Sequence, residues 1–210
     1  MDSAQASQVM DALRGLYPEA KPELHFANPF ETLIATILSA QCTDKRVNMV
    51  TARLFPQYPD AFAMAKLTPE ALEPMIRECG LYRNKARNIV AACRALVEQY
   101  DGKVPASRAE LMKLPGVGQK TAGVVLLAAF GDDQIPVDTH VFRVSRRIGL
   151  ADAGTPEKVE AQLRALLDRD IWSLGHHLII WHGRRCCHAR NPECDRCPLN
   201  DSLCEKHMES

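Results

Sequence analysis

Five of the eight cysteines fall within the last 25 residues of this 210-residue chain, and four of them have a spacing suited to metal binding. Six residues separate Cys187 from Cys194, two separate Cys194 from Cys197, and six separate Cys197 from Cys204. Four such thiolates can hold a tetrahedral zinc ion or an iron–sulfur cubane. A zinc ribbon usually has two C-x-x-C pairs, whereas here one pair is flanked by single cysteines, which favours iron and sulfur. Cys186 is either a core residue or a competitor of Cys187.

A second candidate site lies at about 107–130, where a short helix, a tight hairpin and an almost wholly apolar helix follow one another. Ser107 and Glu110 have the spacing of a capping box at the first helix. Backbone N–H groups at the turn and at the start of the second helix lack helical partners, and the helix dipole there favours an anion. Glycines let an anion approach the backbone closely, so Gly116 and Gly118 predict a phosphate site. An ordinary helical hairpin is the alternative interpretation.

Lys120 lies in the first turn of that apolar helix, where a cation is unfavourably placed. The dipole penalty is about 0.3–1 kcal/mol and one pKa unit is about 1.36 kcal/mol. Lowering a lysine pKa from ~10.4 to the ~7–8 useful for a nucleophile therefore also requires burial or neighbouring cations. For a single lysine, the alternative is an ordinary solvated side chain.

Asp138 precedes an amphipathic pattern, so its default role is to cap that helix. The seven steps from Gly131 to Asp138 span ~23 Å when extended, against ~18 Å for the helix that carries Lys120, so the chain can bring the carboxylate back to the amine. An amine and a carboxylate beside a phosphate site suit covalent attack on a sugar carbon followed by proton abstraction.

Helical periodicity and helix start signals recur along nearly the whole chain. N-cap and proline pairs at Asn28-Pro29, Thr68-Pro69 and Thr155-Pro156 predict three helix starts, and Gly80 is expected to end the second of these helices. Alternating strand patterns are scarce, so the sequence predicts an all-α fold.

Composition excludes several classes of protein. Hydrophobic residues make up 46% and charged residues 25%, as in globular proteins. The 26 basic residues balance the 26 acidic ones, but Arg77 to Arg94 holds five cations and one acid, which could meet phosphates or form a solvated helix face. The N-terminus lacks a signal-peptide pattern, and uncharged stretches such as the eleven residues from Thr121 to Gly131 are shorter than the ~20 a spanning helix needs. We therefore expect neither export nor a membrane span.

Four motifs resemble the endonuclease III family, the iron–sulfur DNA glycosylases and abasic-site lyases of the helix-hairpin-helix superfamily. They are Leu38-Ser39-Ala40-Gln41, the segment from Leu114 to Ala122, the segment from Val137 to Val144, and the terminal cysteines. The likeness covers nearly the whole length, and the motifs occur in the family's order.

The resemblance implies two helical domains: a helical barrel over 22–132 that contains the helix-hairpin-helix, and a [4Fe–4S] cluster domain formed by 1–21 and 133–210. Lys120 would displace the damaged base at C1′ and form a Schiff base, assisted by Asp138. Gln41 and Leu81 would fill the space that the flipped nucleotide leaves. The cluster ligands implied are Cys187, Cys194, Cys197 and Cys204.

The implied activity is that of a bifunctional DNA glycosylase and AP lyase of base excision repair. It would excise oxidised pyrimidines and cleave 3′ of the abasic site by β-elimination. The implied partner is double-stranded DNA containing damaged pyrimidines or abasic sites, bound by a monomer in the cytoplasm, at the nucleoid if the source is bacterial.

One spacing departs from the family, which usually has five residues between the last two cysteines where this chain has six. Two other functions stay open. The related adenine glycosylase shares the cluster and the aspartate but lacks the lysine, so Lys120 argues against it. A non-catalytic helix-hairpin-helix DNA-binding module with a metal-stabilised tail would keep the hairpin without the chemistry.

Overall fold

The computed structural model describes residues 1–199 and 202–205, and within these ranges it contains helices and no strand. The predicted all-α fold is confirmed. The α-helices are α1 (Ser3–Leu16), α2 (Pro29–Ser39), α3 (Asp44–Leu54), α4 (Ala61–Ala65), α5 (Pro69–Ile76), α6 (Tyr82–Tyr100), α7 (Arg108–Leu111), α8 (Gln119–Phe130), α9 (Thr139–Ile148), α10 (Pro156–Leu166) and α11 (Trp172–Arg185). Single 3₁₀ turns occur at Arg77–Cys79, Arg169–Ile171 and Cys194–Arg196. Among the described helices, none combines the length and apolarity that crossing a bilayer requires.

The three predicted helix starts are confirmed, each by a side-chain cap. The Asn28 Oδ1 accepts a hydrogen bond from the Glu31 backbone N–H at 2.9 Å. The hydroxyls of Thr68 and Thr155 accept equivalent bonds three residues on, at 3.3 and 3.4 Å. Each bond satisfies one of the four N–H groups that a helix start leaves unpaired. The cap residue and the three residues after it are therefore enough to determine where the helix begins.

Two local expectations were wrong. The Ser107 side chain makes no capping bond. α7 is a single turn held by backbone bonds, such as Leu111 N–H to Ser107 C=O at 2.8 Å. Gly80 does not end the helix that begins after Thr68. That helix ends at Ile76, a 3₁₀ turn follows, and Gly80 ends the turn with φ 63° and ψ 159°.

Residues 22–132 form one compact unit. Its centre is α2, which packs against α8, α3 and α6 and buries eight of its eleven residues. α6 also packs against α4 and α5. Burying one leucine or isoleucine side chain contributes about 1.5–3 kcal/mol, so the fully buried Leu33, Ile34 and Leu38 hold α2 firmly. This packing fixes the two ends of α2 and, through α8, the hairpin.

Residues 1–21 and the described residues from 133 onward form the other compact unit. α11 packs against α9 and α1, and α10 packs against α9. The apolar faces of α1 and α9 supply core residues with no exposed surface, among them Val9, Met10, Val141 and Val144. This core sets the start of α9 and the cysteine segment that follows α11.

Candidate functional site

The fold requires glycine at one of the two hairpin positions and not at the other. Gly116 has φ 81°, and a Cβ at this position would lie 2.9 Å from the Asn88 Cβ, so the fold itself requires glycine there. Gly118 has an extended backbone, with φ −96° and ψ −176°, and a Cβ there would meet no heavy atom within 4 Å. The fold does not require glycine at 118, and its absent side chain leaves open space at the start of α8.

The start of α8 presents unpaired backbone donors. The first intrahelical bond runs from the Ala122 N–H to the Gly118 carbonyl at 2.9 Å, so the N–H groups of 119–121 precede it and point out of the helix end. Gly118 is the cap residue and brings no side chain to satisfy them. The Arg108 guanidinium lies close by and donates to the Gln119 side-chain oxygen at 3.0 Å. The helix end can therefore accept an anion with a basic side chain nearby.

Lys120 and Asp138 belong to different compact units. The Lys120 side chain is exposed on the first turn of α8. Asp138 is half-buried and caps α9 as predicted: its Oδ1 accepts from the His140 and Val141 N–H groups, both at 2.8 Å. The carboxylate is thereby held in one orientation.

Two histidines near Asp138 were not singled out from the sequence. The pKa of His140 is lowered mainly by burial; Asp138 opposes this shift and the nearby Arg143 adds to it. The buried His176 places its Nδ1 2.9 Å from the Pro136 carbonyl, and since a carbonyl only accepts, this nitrogen carries the proton. His176 therefore anchors the segment that leads into Asp138. In the sequence, the only sign of a role for His176 is that it forms a polar pair with His177 within the apolar pattern of α11.

Gln41 and Leu81 share an unusual backbone conformation. Their φ angles are 53° and 46°, in the left-handed region that side chains other than glycine rarely adopt, and both residues are exposed. Such a conformation costs on the order of 1–3 kcal/mol and persists only where the surroundings enforce it. Both residues belong to the 22–132 unit. Gln41 lies two residues after the end of α2, and Leu81 lies two residues after the 3₁₀ turn that ends at Cys79.

The basic segment from Arg77 to Arg94 includes one cation, Lys85, for which the expected solvated or phosphate-facing position is wrong. Lys85 is only 4% exposed, and its Nζ donates to the Leu38 carbonyl at 2.8 Å and to the Cys79 carbonyl at 2.6 Å. Burial lowers its pKa, while the Cys79 and Cys42 thiols act in the opposite direction. The lysine is buried because two carbonyls at the ends of helical segments need donors.

The terminal cysteines lie around α9 and the end of α11. The Cys187 Sγ is 3.6 Å from an Arg147 guanidinium nitrogen that donates towards it, and the Cys204 thiol donates to the Arg147 carbonyl at 3.5 Å. The Cys197 Sγ lies 3.7 Å from the His182 Nε2. Cys194 begins the 3₁₀ turn that ends one residue before Cys197. The spacer before Cys204 includes positions 200 and 201, which lie outside the described residues.

The donor set fits an iron–sulfur group. Burial raises the pKa of the Cys197 thiol, and it raises that of Cys186 to about 12, so these sulfurs become thiolates only when a cation compensates the charge. Cys186 is buried and donates to the Glu193 carbonyl at 3.6 Å. Its sulfur also lies within 4.8 Å of donor atoms of Cys197 and His182. Cys186 is thus both a core residue and close enough to compete as a ligand.

Comparison with known families assigns most of the chain. Residues 34–169 match the HhH-GPD superfamily of base excision DNA repair proteins. Residues 187–204 match the iron–sulfur binding domain of endonuclease III. The second match begins at Cys187 and ends at Cys204.

Individual relatives are similar over almost their full length. Endonuclease III of Escherichia coli strain K12 is 45% identical over 205 residues, which cover 98% of this chain and 97% of the relative. Endonuclease III of Bacillus subtilis strain 168 is 46% identical over 200 residues, with coverage of 94% and 90%. Two solved structures of endonuclease III with DNA, one a trapped covalent intermediate and one a non-covalent complex, each have a TM-score of 0.94 at 46% identity and cover 100% of this chain and 98% of theirs.

Proposed function

We propose that Lys120 is the nucleophile of this protein. The chain belongs to the endonuclease III family of the HhH-GPD superfamily and is a bifunctional DNA glycosylase and AP lyase of base excision repair. It binds damaged DNA and has the family's iron–sulfur cluster. The observation that carries the proposal is the exposed amine in the first turn of α8, beside the open backbone at Gly118.

In the proposed first step, the Lys120 Nζ attacks C1′ of the damaged nucleotide and the bond between C1′ and the base breaks. The base leaves with its electron pair and takes up a proton. The nitrogen lone pair then opens the sugar ring, O4′ takes up a proton, and the product is the protonated Schiff base, an iminium. Because Lys120 is exposed in the free protein, its amine is open to the approach of a nucleotide.

The strand is then cut by β-elimination. The iminium withdraws electrons from C2′, so a C2′ proton is removed, a C2′–C3′ double bond forms, and the bond from C3′ to oxygen breaks with departure of the phosphate. We propose Asp138 as the carboxylate that assists the lysine and the departing base. Its fixed orientation at the start of α9 suits a group that receives and returns protons at one place.

The open helix end at Gly116 and Gly118 is the proposed phosphate site. Three N–H groups and the positive end of the α8 dipole favour an anion there, and the bare Gly118 leaves room for it. Gln41 and Leu81 are proposed to fill the gap in the stack after the nucleotide has flipped, since both are exposed and held in fixed, left-handed backbone conformations. Such filling offsets part of the unstacking cost of a few kcal/mol.

We propose Cys187, Cys194, Cys197 and Cys204 as the cluster ligands, because the matched iron–sulfur domain begins and ends at the outer two. When bound, the cluster supplies a structural centre with net charge of about −2, which does not suit base excision. The chain's own residues hold the surrounding loop: Arg147 donates to the His188 and Ala189 carbonyls as well as to Cys187.

Oxidised pyrimidines and abasic sites in duplex DNA are the proposed substrates, and we propose a monomer because one chain contains every proposed group. The related proteins come from bacteria, which supports a cytoplasmic place of action at the nucleoid.

Borohydride trapping on a duplex containing thymine glycol or an abasic site tests the nucleophile. Lys120→Ala should abolish the covalent adduct. Lys103→Ala is the control, because Lys103 is an exposed lysine of the same unit outside the hairpin, and it should trap at the normal rate. An adduct that persists in Lys120→Ala would identify another amine as the nucleophile.

Asp138→Asn tests the carboxylate without disturbing the helix, because asparagine caps as well as aspartate does. Turnover should fall while DNA affinity stays nearly unchanged. Asp60→Asn is the matched control, since Asp60 caps α4 in the same way, accepting from the Ala63 N–H at 2.7 Å. A large loss of affinity in Asp138→Asn would contradict the assigned role.

A further inference from the structure

Lys85 is a buried cation for which neither the excision nor the elimination step has a use. It lies on α6 with 4% of its surface exposed, and its side chain crosses to two other segments of the same unit. The Nζ donates to the Leu38 carbonyl at 2.8 Å and to the Cys79 carbonyl at 2.6 Å. An amine has at least two N–H donors in either protonation state, so both bonds persist whether or not the nitrogen is charged.

The two carbonyls occupy corresponding places in the chain. Leu38 lies in the last turn of α2, three residues before Gln41. Cys79 ends the 3₁₀ turn, two residues before Leu81. Carbonyls in the last turn of a helix have no intrahelical partner, and burying them without a donor is costly. The Lys85 side chain therefore satisfies a carbonyl at the end of each helical segment. It connects the loops that contain Gln41 and Leu81 to the same residue of α6.

Lys85 also holds the second loop through its main chain. Its backbone N–H donates to the carbonyl of Leu81, the cap residue of α6, at 3.1 Å, and this is the first hydrogen bond of that helix, so the start of α6 joins Leu81 to Lys85. Gln41 lies three residues beyond Leu38 and Leu81 two residues beyond Cys79, and both are in left-handed conformations that neither residue type favours. A rare conformation of this kind needs neighbouring contacts that enforce it.

We propose that Lys85 is a positioning residue that holds the Gln41 and Leu81 loops in the conformation that fills the gap left by the flipped nucleotide. The inference rests on the gap-filling role proposed above for these two residues. It assigns no contact with DNA to Lys85, which acts only through the two loops.

The test uses a duplex with a tetrahydrofuran abasic analogue opposite 2-aminopurine, whose fluorescence reports the stacking of the base opposite the lesion. Lys85→Met keeps an unbranched side chain, shorter by one atom, and removes its donors. Two lost hydrogen bonds from an amine to buried carbonyls predict at least about a tenfold fall in the equilibrium of loop insertion. Affinity for undamaged duplex should change by less than about twofold, because phosphate contacts dominate it. Lys85→Arg, which keeps donors, should restore part of the signal.

Lys66→Met is the charge-matched control, since Lys66 is exposed and in the same unit. A double-mutant cycle gives the decisive comparison: in a Gln41→Ala/Leu81→Ala background, Lys85→Met should have no further effect on the fluorescence change. If Lys85→Met does not fold, Lys85→Gln, which keeps an N–H donor in the cavity, takes its place.

The outcomes separate the two proposals. If Gln41→Ala/Leu81→Ala leaves the fluorescence change intact, the gap-filling role is wrong and this inference fails with it. If that double variant loses the signal while Lys85→Met keeps it, only the positioning role of Lys85 is overturned. Additive effects in the cycle would likewise show that Lys85 acts on the fold in general and not through the loops.

Discussion

Three glycine-to-alanine substitutions separate the binding of phosphate from the stability of the hairpin. At Gly118 the backbone is extended and an added Cβ meets open space. The poorer capping by alanine costs about 0.5–1 kcal/mol and the stiffer unfolded chain regains about 0.4–1, so Gly118→Ala should change the free energy of unfolding by no more than about 0.5 kcal/mol. Its methyl group nevertheless occupies the place proposed for a phosphate. Losing one charge-assisted bond of about 1.5–3 kcal/mol predicts DNA affinity reduced by about tenfold or more.

Gly131 provides the opposite case. It caps the C-terminal end of α8 with φ 63° and ψ 19°, and a Cβ there also meets nothing within 4 Å. Alanine in this conformation costs about 1–2 kcal/mol, so Gly131→Ala should destabilise the fold while leaving DNA affinity unchanged. Gly116→Ala should both destabilise the fold and weaken DNA binding. Its φ is 81° and the added Cβ would lie 2.9 Å from the Asn88 Cβ, and Gly116 is also part of the proposed phosphate site.

The measurements are urea unfolding for stability and fluorescence anisotropy at one fixed salt concentration for affinity, on damaged and undamaged duplexes. Gly118→Ala should weaken binding to both duplexes alike, since phosphate contacts do not depend on sequence. Full affinity in Gly118→Ala would refute the phosphate site at this helix end. An affinity loss in Gly131→Ala as large as that in Gly118→Ala would show that binding only reports stability.

Further predictions concern the unit that contains α9 and α11. Burial lowers the pKa of His177 to about 4, so the unfolded chain binds the proton first, and stability present above pH ~6.5 is lost as the pH falls towards ~4. Between pH 7.5 and 5.5, the free energy of unfolding of the wild type, measured in urea, should fall by about 1 kcal/mol more than that of His177→Asn. His25→Asn, at an exposed histidine, should behave as wild type. Equal losses in wild type and His177→Asn would contradict the effect of burial. Cys187→Ser should lose bound iron while Cys186→Ser retains it, and the reverse would move the ligand to Cys186. Arg147→Met should retain less iron per chain, because it frees the loop after Cys187; unchanged iron would show that the loop needs no such anchor.

Helix starts were predictable because their determinants are local. Asn28 followed by proline needs only the next three residues to form its cap, and the structure confirms it. The family and its activity were predictable for a related reason: four short motifs in a fixed order are specific, and the full-length identity of about 45% confirms the assignment.

Features that join distant segments were not predictable. In the sequence, Lys85 is one of several cations in a basic segment. Its neighbours in sequence do not indicate that the carbonyl of Leu38, 47 residues away, needs a hydrogen-bond donor. His176 is similar, because its partner at Pro136 is 40 residues away. The glycines could be assigned to a turn, but which of them the fold needs follows only from the position of Asn88. The roles of Lys120 and Asp138 stay predictions.

The role proposed for Asp138 is that of a proton acceptor at the moment of attack. Its Oδ1 accepts two backbone hydrogen bonds of 2.8 Å at the start of α9, which hold the carboxylate in one orientation. Asparagine caps a helix as well as aspartate does, so the substitution removes the proton acceptor and leaves the helix start intact. Loss of turnover with retained affinity in Asp138→Asn is what a proton acceptor predicts, because asparagine keeps the cap but cannot take the proton.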